Sequence, residues 1–410
     1  MGFKIFKNTV LLFVLILISC ANISKSQADH QKQEDQINEP QKTKPYVGAN
    51  QTEIYLPLLQ NKRVGIVANQ TSVIFKTENT FTHLVDSLLL LDINITKVFA
   101  PEHGFRGKAD AGEVVKDGID TKTGLPIVSL YGSNKKPKEE QLKDLDIIIF
   151  DIQDVGARFY TYISTLHYVM EACAEQQIPV MILDRPNPNG HYIDGPVLET
   201  SNKSFVGMHP VPIVHGMTIG EYAQMINGEK WLANGIQCNI KIIPVMHYTH
   251  KTPYDLPIKP SPNLPNPKAI NLYPSLCFFE GTNVSAGRGT NLQFQIFGSP
   301  FLNSNIYEYR FTPTPNEGAK YPKHQNKQCY GKNLTKTPTL STLNLSWLIE
   351  SYNHTTNKST FFNAFFTKLA GTKKLQQQIE QGLSEDVIKT SWQKGLESFK
   401  ATRSKYLIYD

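Results

Sequence analysis

Short apolar runs alternate with amphipathic segments through the first half of the chain. The apolar runs predict buried strands at KRVGIVAN (62–69), ITKVFA (95–100), IVSLYG (127–132), DIIIFDI (146–152) and PVMILD (179–184). The segments between them predict helices at TFTHLVDSLLLLD (80–92), KEEQLKDL (138–145) and YTYISTLHYVMEACAEQQ (160–177). A further helix (218–232) and strand (239–245) follow. This alternation is typical of βαβ units, so it predicts an α/β fold with a parallel sheet covered by helices on both faces.

The texture of the chain changes near residue 251. The segment KTPYDLPIKPSPNLPNPKAINLYPS is dense in proline, which interrupts both helices and central strands. We therefore predict an N-terminal domain over 46–250 and a smaller α+β C-terminal domain over 251–410. The second domain ends in SEDVIKTSWQKGLESFKATRSKYLIY, a pattern that fits a pair of helices.

The first 45 residues have the pattern of an export signal and a tether. Lys4 and Lys7 precede an apolar run over 10–18 that is too short to span a bilayer comfortably. Residues 17–20 read Leu-Ile-Ser-Cys, which resembles a bacterial lipobox, so residues 1–20 predict a lipoprotein signal peptide with lipid on Cys20. The alternative is a plain signal peptide. Residues 21–45 are almost devoid of apolar side chains and predict a disordered tether, which would leave the protein lipid-anchored in the cell envelope, on the periplasmic side or at the cell surface.

Charge and cysteine content exclude several classes of protein. Without Lys4 and Lys7 the chain carries 40 basic and 36 acidic residues, a formal charge of +4 that gives no case for nucleic-acid binding. The remaining cysteines show no zinc-binding spacing and predict buried free thiols; they are Cys173, Cys238, Cys277 and Cys329. We predict no metal and no cofactor.

Polar residues follow four of the predicted strands, where the carboxyl ends of parallel strands would meet. They are Asn69; Glu102, His103 and Arg106; Asp151, Asp154 and Arg158; and Asp184, Arg185 and Asn187. Each group alone is compatible with turn chemistry. Four groups at one sheet edge predict a ligand site.

Glu102 is the candidate general acid, because the proline before it and the glycines after it can aim its carboxyl into a cleft. The alternative is a structural salt bridge to Arg106 or Arg158. His103 either shares the proton transfer or holds Glu102 in place.

Asp151 and Asp154 are the candidate second carboxylates, suited to activating water; the alternative for both is capping of the helix that follows. Arg106, Arg158 and Arg288 indicate an anionic ligand, since guanidinium groups bind carboxylates bidentately. His209 and His215 lack the tight spacing of known metal motifs. The hypothesis of a metal-dependent hydrolase that uses His103, His209 and His215 is therefore the weaker one.

Several motifs together resemble the NamZ-type exo-β-N-acetylmuramidases. They are VFAPEHGFRG, DIQDVGARFYTYISTL, DRPNPNGHYIDGPVLE, VPIVHGMTIGEYA, PNPKAINLYPSLCFFEGTNVSAGRGT and SKYLIY. The resemblance runs from about Gly48 to the C-terminus. It implies a Rossmann-like N-terminal domain without a nucleotide, a smaller C-terminal domain, and an active site in the cleft between them. Gln293 replaces a proline usual in the family, which affects only the shape of that loop.

The resemblance also implies a reaction, the hydrolysis of the β-1,4 bond after a non-reducing-end N-acetylmuramic acid during cell-wall recycling. The family's catalytic glutamate falls on Glu102, and His215 and Glu280 lie in the shared motifs, so we count them among the substrate-binding candidates. The second catalytic group is Asp151, Asp154 or the acetamide of the substrate, and the sequence leaves retention or inversion open. The alternative function is a non-catalytic lipoprotein that binds muramyl or other anionic saccharides.

Overall fold

A seven-stranded sheet forms the centre of the N-terminal half. The computed structural model describes residues 44–77, 80–107 and 117–410. The predicted signal peptide, Cys20 and nearly all of the predicted tether lie outside these residues. The strands of this half are β1 (Val64–Ala68), β2 (Val73–Phe75), β3 (Phe81–His83), β4 (Ile95–Ala100), β5 (Gly118–Ile119), β6 (Pro126–Ser129), β7 (Ile147–Asp151), β8 (Val180–Leu183) and β9 (Ile240–Ile243).

The strand order is that of a doubly wound nucleotide-binding fold. The sheet runs β5-β6-β4-β1-β7-β8-β9, and all neighbours are parallel except the short edge strand β5. Counting only the parallel strands gives the order 3-2-1-4-5-6, in which sheet growth reverses direction between β1 and β7. Val64 to Ala68 lie in register with Ile147 to Asp151, so both strands end at the same level. A crevice for ligands is expected beyond these ends.

Helices cover both faces of the sheet, which confirms the predicted fold class. They are α1 (Thr52–Leu59), α2 (Leu84–Leu90), α3 (Glu139–Leu142), α4 (Tyr162–Glu175) and α5 (Ile219–Gly228). Successive side chains of a strand point to opposite faces. Ile147 and Ile149 therefore pack in one hydrophobic cluster with α1 and α2, and Ile148 and Phe150 pack in the other with α4 and α5.

The helix predicted over 80–92 is wrong at its start. Residues Phe81–His83 form β3, which pairs antiparallel with β2 immediately after the central strand β1. Helix α2 begins only at Leu84, because His83 lies in an extended conformation and its Nδ1 accepts a hydrogen bond from the Val85 N–H at 3.3 Å. The helix predicted from the apolar pattern of this segment is therefore confirmed only from Leu84 onward.

The C-terminal part mixes a small antiparallel sheet with helices, as predicted. Its strands are β10 (Ile296–Ser299), β11 (Tyr309–Phe311) and β12 (Cys329–Asn333), in the order β10-β12-β11. Its helices are α6 (Pro267–Leu276), α7 (Ser346–His354), α8 (Phe365–Ala370), α9 (Lys374–Glu380), α10 (Glu385–Ser391) and α11 (Gln393–Arg403). Helices α10 and α11 are the pair expected at the end of the chain.

The proline-dense segment contains a helix that the sequence argument did not expect. In α6, Pro267 occupies the first turn, where its missing N–H costs nothing, and Asn266 caps the helix by accepting from the Ala269 N–H at 2.9 Å. Pro274 lies inside the helix and cannot donate to the carbonyl of Ile270. The Asn189 side chain donates to that carbonyl instead, at 3.1 Å, so the proline leaves no buried acceptor unpaired.

Residues Pro45–Asp410 form one unit with a shared core. The larger hydrophobic cluster contains side chains of α4 and α5 together with Phe278 and Phe366 of the C-terminal part. The boundary at residues 250 and 251 stays a prediction. The four cysteines of the described part are buried free thiols, as predicted. In the part of the chain that the structure describes, every helix is too short or too polar to cross a membrane.

Candidate active site

A cavity of about 250 Å³ lies beyond the carboxyl end of β4, between the sheet and the C-terminal part. Glu102 and His103 enter it directly after β4, and Tyr160 and Thr161 enter it directly before α4. The other side chains that line it are Tyr131, Phe159, Phe205, Val206, Ser261, Asn263, Leu264, Tyr273, Cys277, Glu280, Arg288, Phe294, Phe365 and Leu369. The cavity is therefore built by both halves of the chain, at the edge of the sheet where the polar strand ends were expected to meet.

The carboxyl group of Glu102 is held by two hydroxyls. The Tyr131 hydroxyl donates to Oε1 at 3.0 Å and the Thr161 hydroxyl donates to Oε2 at 2.6 Å. Burial, together with the adjacent Glu102, raises the pKa of Tyr131, so this hydroxyl remains a donor at neutral pH. The Tyr162 hydroxyl approaches the backbone carbonyl of Glu102 at 3.4 Å. These contacts fix a carboxyl group at the rim of the cavity, as a proton-transfer group requires.

The backbone after Glu102 turns sharply. His103 has φ 71° and Gly104 has φ 76°, and a non-glycine residue in this left-handed region is uncommon. His103 is buried and lines the cavity beside Glu102. Two consecutive left-handed residues turn the chain away from the direction of β4, which lets both side chains face the cavity.

Aromatic rings form one wall of the cavity. Tyr273 lies at the centre of this wall, with its ring centroid 5.4 Å from Phe159, 5.9 Å from Tyr160 and 4.9 Å from Phe294, in edge-to-face arrangements. Tyr160 and Tyr273 therefore present their rings to the cavity. Tyr162 lies behind it.

The C-terminal part contributes an ion pair to the lining of the cavity. Arg288 Nη1 donates to Glu280 Oε1 at 3.1 Å, and Arg288 Nη2 donates to the Gly318 carbonyl at 3.2 Å. The side chains of Glu280 and Arg288 are 28% and 26% exposed, so both remain accessible from the cavity. Of the sequence candidates, the structure thus brings Glu102, His103, Glu280 and Arg288 together.

Arg106 acts as an internal counter-ion. Its Nη2 donates to Asp120 Oδ2 at 2.7 Å and to Asp86 Oδ1 at 3.2 Å, and its guanidinium lies 4.3 Å from the centre of the Phe105 ring. Arg106 is not among the residues that line the cavity. Of the sequence-based alternatives for Arg106, ligand binding or a structural ion pair, the geometry favours the ion pair, with partners other than Glu102.

Asp151 and Arg185 form a buried pair outside the cavity. Arg185 donates to both carboxylate oxygens of Asp151, at 2.6 and 2.9 Å, and also to the carbonyl of Val73 at 2.9 Å. Burial raises the pKa of Asp151, and the Arg185 guanidinium opposes this shift. A fully buried carboxylate in a bidentate pair ties β7 to the loops around it and has no access to a water in the cavity.

Asp154 and His215 form a second buried pair away from the cavity lining. His215 Nε2 lies 3.9 Å from Asp154 Oδ2, which also accepts from the Gly156 N–H at 2.7 Å. Burial raises the pKa of Asp154 to about 7 and lowers the pKa of His215 to about 3. Between these two values both groups are neutral, so this contact is not an ion pair at mildly acidic pH.

Arg158 connects the two halves of the chain. It is fully buried, and its guanidinium donates to four backbone carbonyls at 2.7 to 3.0 Å. The acceptors are Pro196 and Val211 on one side and Leu369 and Ala370, at the end of α8, on the other. Arg158 therefore contributes to the fold and not to the cavity surface.

The other strand-end candidates support loops. Asn69 donates to the Tyr162 hydroxyl at 2.9 Å and so positions a residue that contacts Glu102. Asp184 accepts from the Thr218 hydroxyl at 2.7 Å, from the Gly220 N–H at 2.9 Å and from the Tyr409 hydroxyl at 2.6 Å. Asn187 donates to the carbonyl of Met217 at 2.9 Å.

Sequence reasoning missed the two residues that hold the Glu102 carboxyl. Tyr131 is the last residue but one of the predicted strand IVSLYG, and Thr161 lies between two tyrosines at the start of a predicted helix. Tyr131 could have been found from its position, because it follows a parallel strand at the same sheet edge. Thr161 carried no local signal.

His209 pairs with His167 at 2.9 Å, and within residues 44–77, 80–107 and 117–410 no group of three or more His, Cys, Asp and Glu is arranged to hold a metal ion.

Comparison with known proteins places these features in one family. The family model described as the N-terminal domain of exo-β-N-acetylmuramidase NamZ matches residues 64–268, and the model of its C-terminal domain matches residues 271–409. The peptidoglycan β-N-acetylmuramidase NamZ of Bacillus subtilis (strain 168) is 40% identical over 380 residues, which cover 87% of this chain and 89% of that protein.

Two solved structures have the same fold. A DUF1343 family protein from Bacteroides fragilis NCTC 9343 is 48% identical with a TM-score of 0.81, covering 90% of this chain and 99% of that one. A second DUF1343 family protein from the same organism is 26% identical with a TM-score of 0.75, covering 89% and 99%. Matches over both domains and at this identity confirm the resemblance seen in the sequence: the chain belongs to the NamZ family of exo-β-N-acetylmuramidases.

Proposed function

We propose that this protein is a glycoside hydrolase that removes β-1,4-linked N-acetylmuramic acid from the non-reducing end of peptidoglycan fragments. The observation that carries the proposal is Glu102, a carboxyl group fixed by two hydroxyls at the rim of a cavity with aromatic walls. Membership of the NamZ family and the name of the Bacillus subtilis relative support the substrate class. Release of the terminal sugar fits a role in cell-wall turnover and recycling.

In this reaction Glu102 protonates the glycosidic oxygen as the bond to the anomeric carbon breaks. The transition state resembles an oxocarbenium ion and needs a second group that stabilises it or activates water. Asp151 and Asp154 are unsuited to this role, because both are buried outside the cavity lining. We assign the role to Glu280, whose carboxyl group lines the cavity and pairs with Arg288, or to the substrate's own acetamide.

The lactyl carboxylate distinguishes N-acetylmuramic acid from N-acetylglucosamine, and Arg288 is the cavity residue suited to bind it. A charge-assisted contact between this guanidinium and the lactyl carboxylate would favour N-acetylmuramic acid over the analogue that lacks the group. We expect Arg288→Met to lower kcat/KM for an N-acetylmuramic acid glycoside by about tenfold or more, and to change the rate with the N-acetylglucosamine glycoside much less. Equal losses on both substrates would remove Arg288 from this role.

The test of the catalytic assignment is Glu102→Gln, which preserves shape and removes the transferable proton. With a chromogenic β-glycoside of N-acetylmuramic acid we expect kcat to fall by at least about a hundredfold, the range that one general acid supplies. The control is Glu308→Gln, because Glu308 is exposed and not part of the cavity lining. Circular dichroism should show both variants folded. A Glu102 variant with nearly unchanged kcat would contradict the assignment, and a wild-type protein that binds the sugar without turnover would be a binding protein instead.

We also propose that lipid on Cys20 anchors the protein in the cell envelope, by the lipobox pattern of its sequence. Partition into detergent should then depend on Cys20: the wild-type protein should enter the detergent phase of Triton X-114 and Cys20→Ala should not. If both remain in the aqueous phase, residues 1–20 act as a plain signal peptide.

A further inference from the structure

A second cavity of about 430 Å³ adjoins the Glu102 cavity, and apart from the residues that the two cavities share, its lining has no role in the reaction described above. The two cavities share Glu280, Arg288 and Phe365, which form a dividing wall. The rest of the second cavity is built by two loops of the C-terminal part, residues 284–286 and 319–323. The two cavities therefore lie next to each other, on either side of these three residues.

We infer that this second cavity binds the saccharide units that follow the scissile bond, and that the enzyme recognises a second, carboxylate-bearing sugar of the glycan there. The inference rests on the proposed function. The Glu102 cavity, at about 250 Å³, is smaller than the about 300–1,000 Å³ of sites that enclose drug-sized ligands, so it suits a single sugar. The remainder of an oligosaccharide must leave this cavity, and the second cavity is its neighbour across the shared residues.

The charge of the second cavity matches an anionic glycan. Among the residues that line it, Arg288, Lys320 and Lys323 are cationic, and Glu280 is the carboxylate that pairs with Arg288. Lys323 is fixed below the surface, because its ammonium donates to backbone carbonyls, including that of Phe279 at 2.8 Å. In a peptidoglycan strand freed of its stem peptides, muramic acid carries a lactyl carboxylate on every second sugar, whereas a chain of N-acetylglucosamine carries none. The excess of positive charge favours the first kind of chain.

The second cavity also presents aromatic surface of the kind on which sugar rings pack. Tyr321 is 83% exposed although it is a large, largely apolar side chain, and Phe365 lies in the dividing wall. Tyrosine offers a flat apolar face with a polar tip, which suits the face of a pyranose ring and its hydroxyls. Its exposure in the free protein is explained if it packs against a ligand.

The inference is tested by comparing substrates of different length with the full chain. The substrates are a chromogenic N-acetylmuramic acid β-glycoside, the disaccharide with N-acetylglucosamine, and the tetrasaccharide that contains a second N-acetylmuramic acid. We expect wild-type kcat/KM to be about fivefold or more higher for the tetrasaccharide than for the disaccharide, since each well-placed contact contributes a factor of this order. The advantage should decrease with added salt.

Variants identify the side chains responsible. Tyr321→Ala and Lys320→Ala should each lower the ratio of tetrasaccharide to chromogenic-substrate kcat/KM by about threefold to tenfold. Tyr321→Phe should retain most of the ratio. Lys327→Ala is the matched control for charge, because Lys327 is exposed on the same part of the chain and does not line either cavity.

The outcomes separate this inference from the proposed function. Two results would overturn the inference and leave the proposed function intact. The first is hydrolysis of all three substrates with equal kcat/KM for disaccharide and tetrasaccharide. The second is a ratio of tetrasaccharide to chromogenic-substrate kcat/KM that stays unchanged in Tyr321→Ala and Lys320→Ala. Failure to hydrolyse any of the substrates would overturn the proposed function itself. Titration of the Glu102→Gln variant then tests the inference independently, because the tetrasaccharide must bind more tightly than the disaccharide.

Discussion

Replacing Arg158 by methionine should destabilise the protein strongly without altering which sugar it selects. The substitution removes the donors of four buried backbone carbonyls, which lie 2.7 to 3.0 Å from the guanidinium. A buried acceptor left without its partner costs at least about 1 kcal/mol, so four of them cost about 4 kcal/mol. Removal of a buried charge without a carboxylate partner offsets part of this cost; burial already lowers the pKa of Arg158 to about 9.

We therefore expect the free energy of unfolding to fall by about 3–5 kcal/mol, a large part of the about 5–15 kcal/mol that stabilises a typical domain. Urea unfolding followed by tryptophan fluorescence measures this change. Arg310→Met is the control, because Arg310 is exposed and lies over the Tyr330 ring at 5.7 Å; it should change the midpoint little. Arg158→Lys should recover part of the loss, since an ammonium group has three donors.

One result would contradict the structural role of Arg158. If Arg158→Met unfolds at the wild-type urea concentration but loses kcat/KM for N-acetylmuramic acid glycosides and not for N-acetylglucosamine glycosides, Arg158 binds the lactyl carboxylate. That result would also mean that the four carbonyl contacts do not persist in solution.

Two further predictions concern the carboxyl groups. Tyr131→Phe and Thr161→Val should each lower kcat by about tenfold with a smaller change in KM, because each removes one hydrogen bond that orients Glu102; an unchanged kcat and pH profile would show that orientation does not depend on these hydroxyls. Asp154 has a folded-state pKa of about 7, above its unfolded value near 4, so its contribution to stability is complete below about pH 4 and is lost as pH rises through 7. Between pH 5 and 8 the free energy of unfolding of Asp154→Asn should therefore gain about 2 kcal/mol on that of the wild type, and parallel pH curves in urea titrations would contradict this.

The alternation of apolar runs predicted the sheet well because buried parallel strands leave a direct record in sequence. DIIIFDI and ITKVFA correspond to β7 and β4 with little error at their ends. The errors arose where tertiary contacts override local pattern. Residues 81–83 joined β2 as a strand, and α6 formed despite Pro274 because a distant side chain, Asn189, satisfies the carbonyl that the proline cannot reach.

The polar residues that follow the strands predicted the location of the site but not the role of each residue. Glu102 and His103 lie in the cavity, whereas Asp151, Asp184 and Arg158 are buried in the scaffold beside it. Both uses draw on the same residue types, since loops that cross a sheet edge bury backbone groups that need charged or amide partners. Only the three-dimensional contacts, such as a guanidinium surrounded by four carbonyls, separate the two.

The first turn of α4 links the carboxyl group of Glu102 to the core of the protein. Thr161 holds the Glu102 carboxyl, Tyr162 approaches its backbone carbonyl, and Asn69 holds Tyr162 in turn. These residues belong to the ends of β1 and α4, whose side chains fill the core, and not to a loop that can open by itself. Loss of this geometry should require unfolding of the surrounding core, so heat should abolish activity and fold at one temperature. The Glu102 carboxyl should therefore lose its position only when the sheet as a whole unfolds.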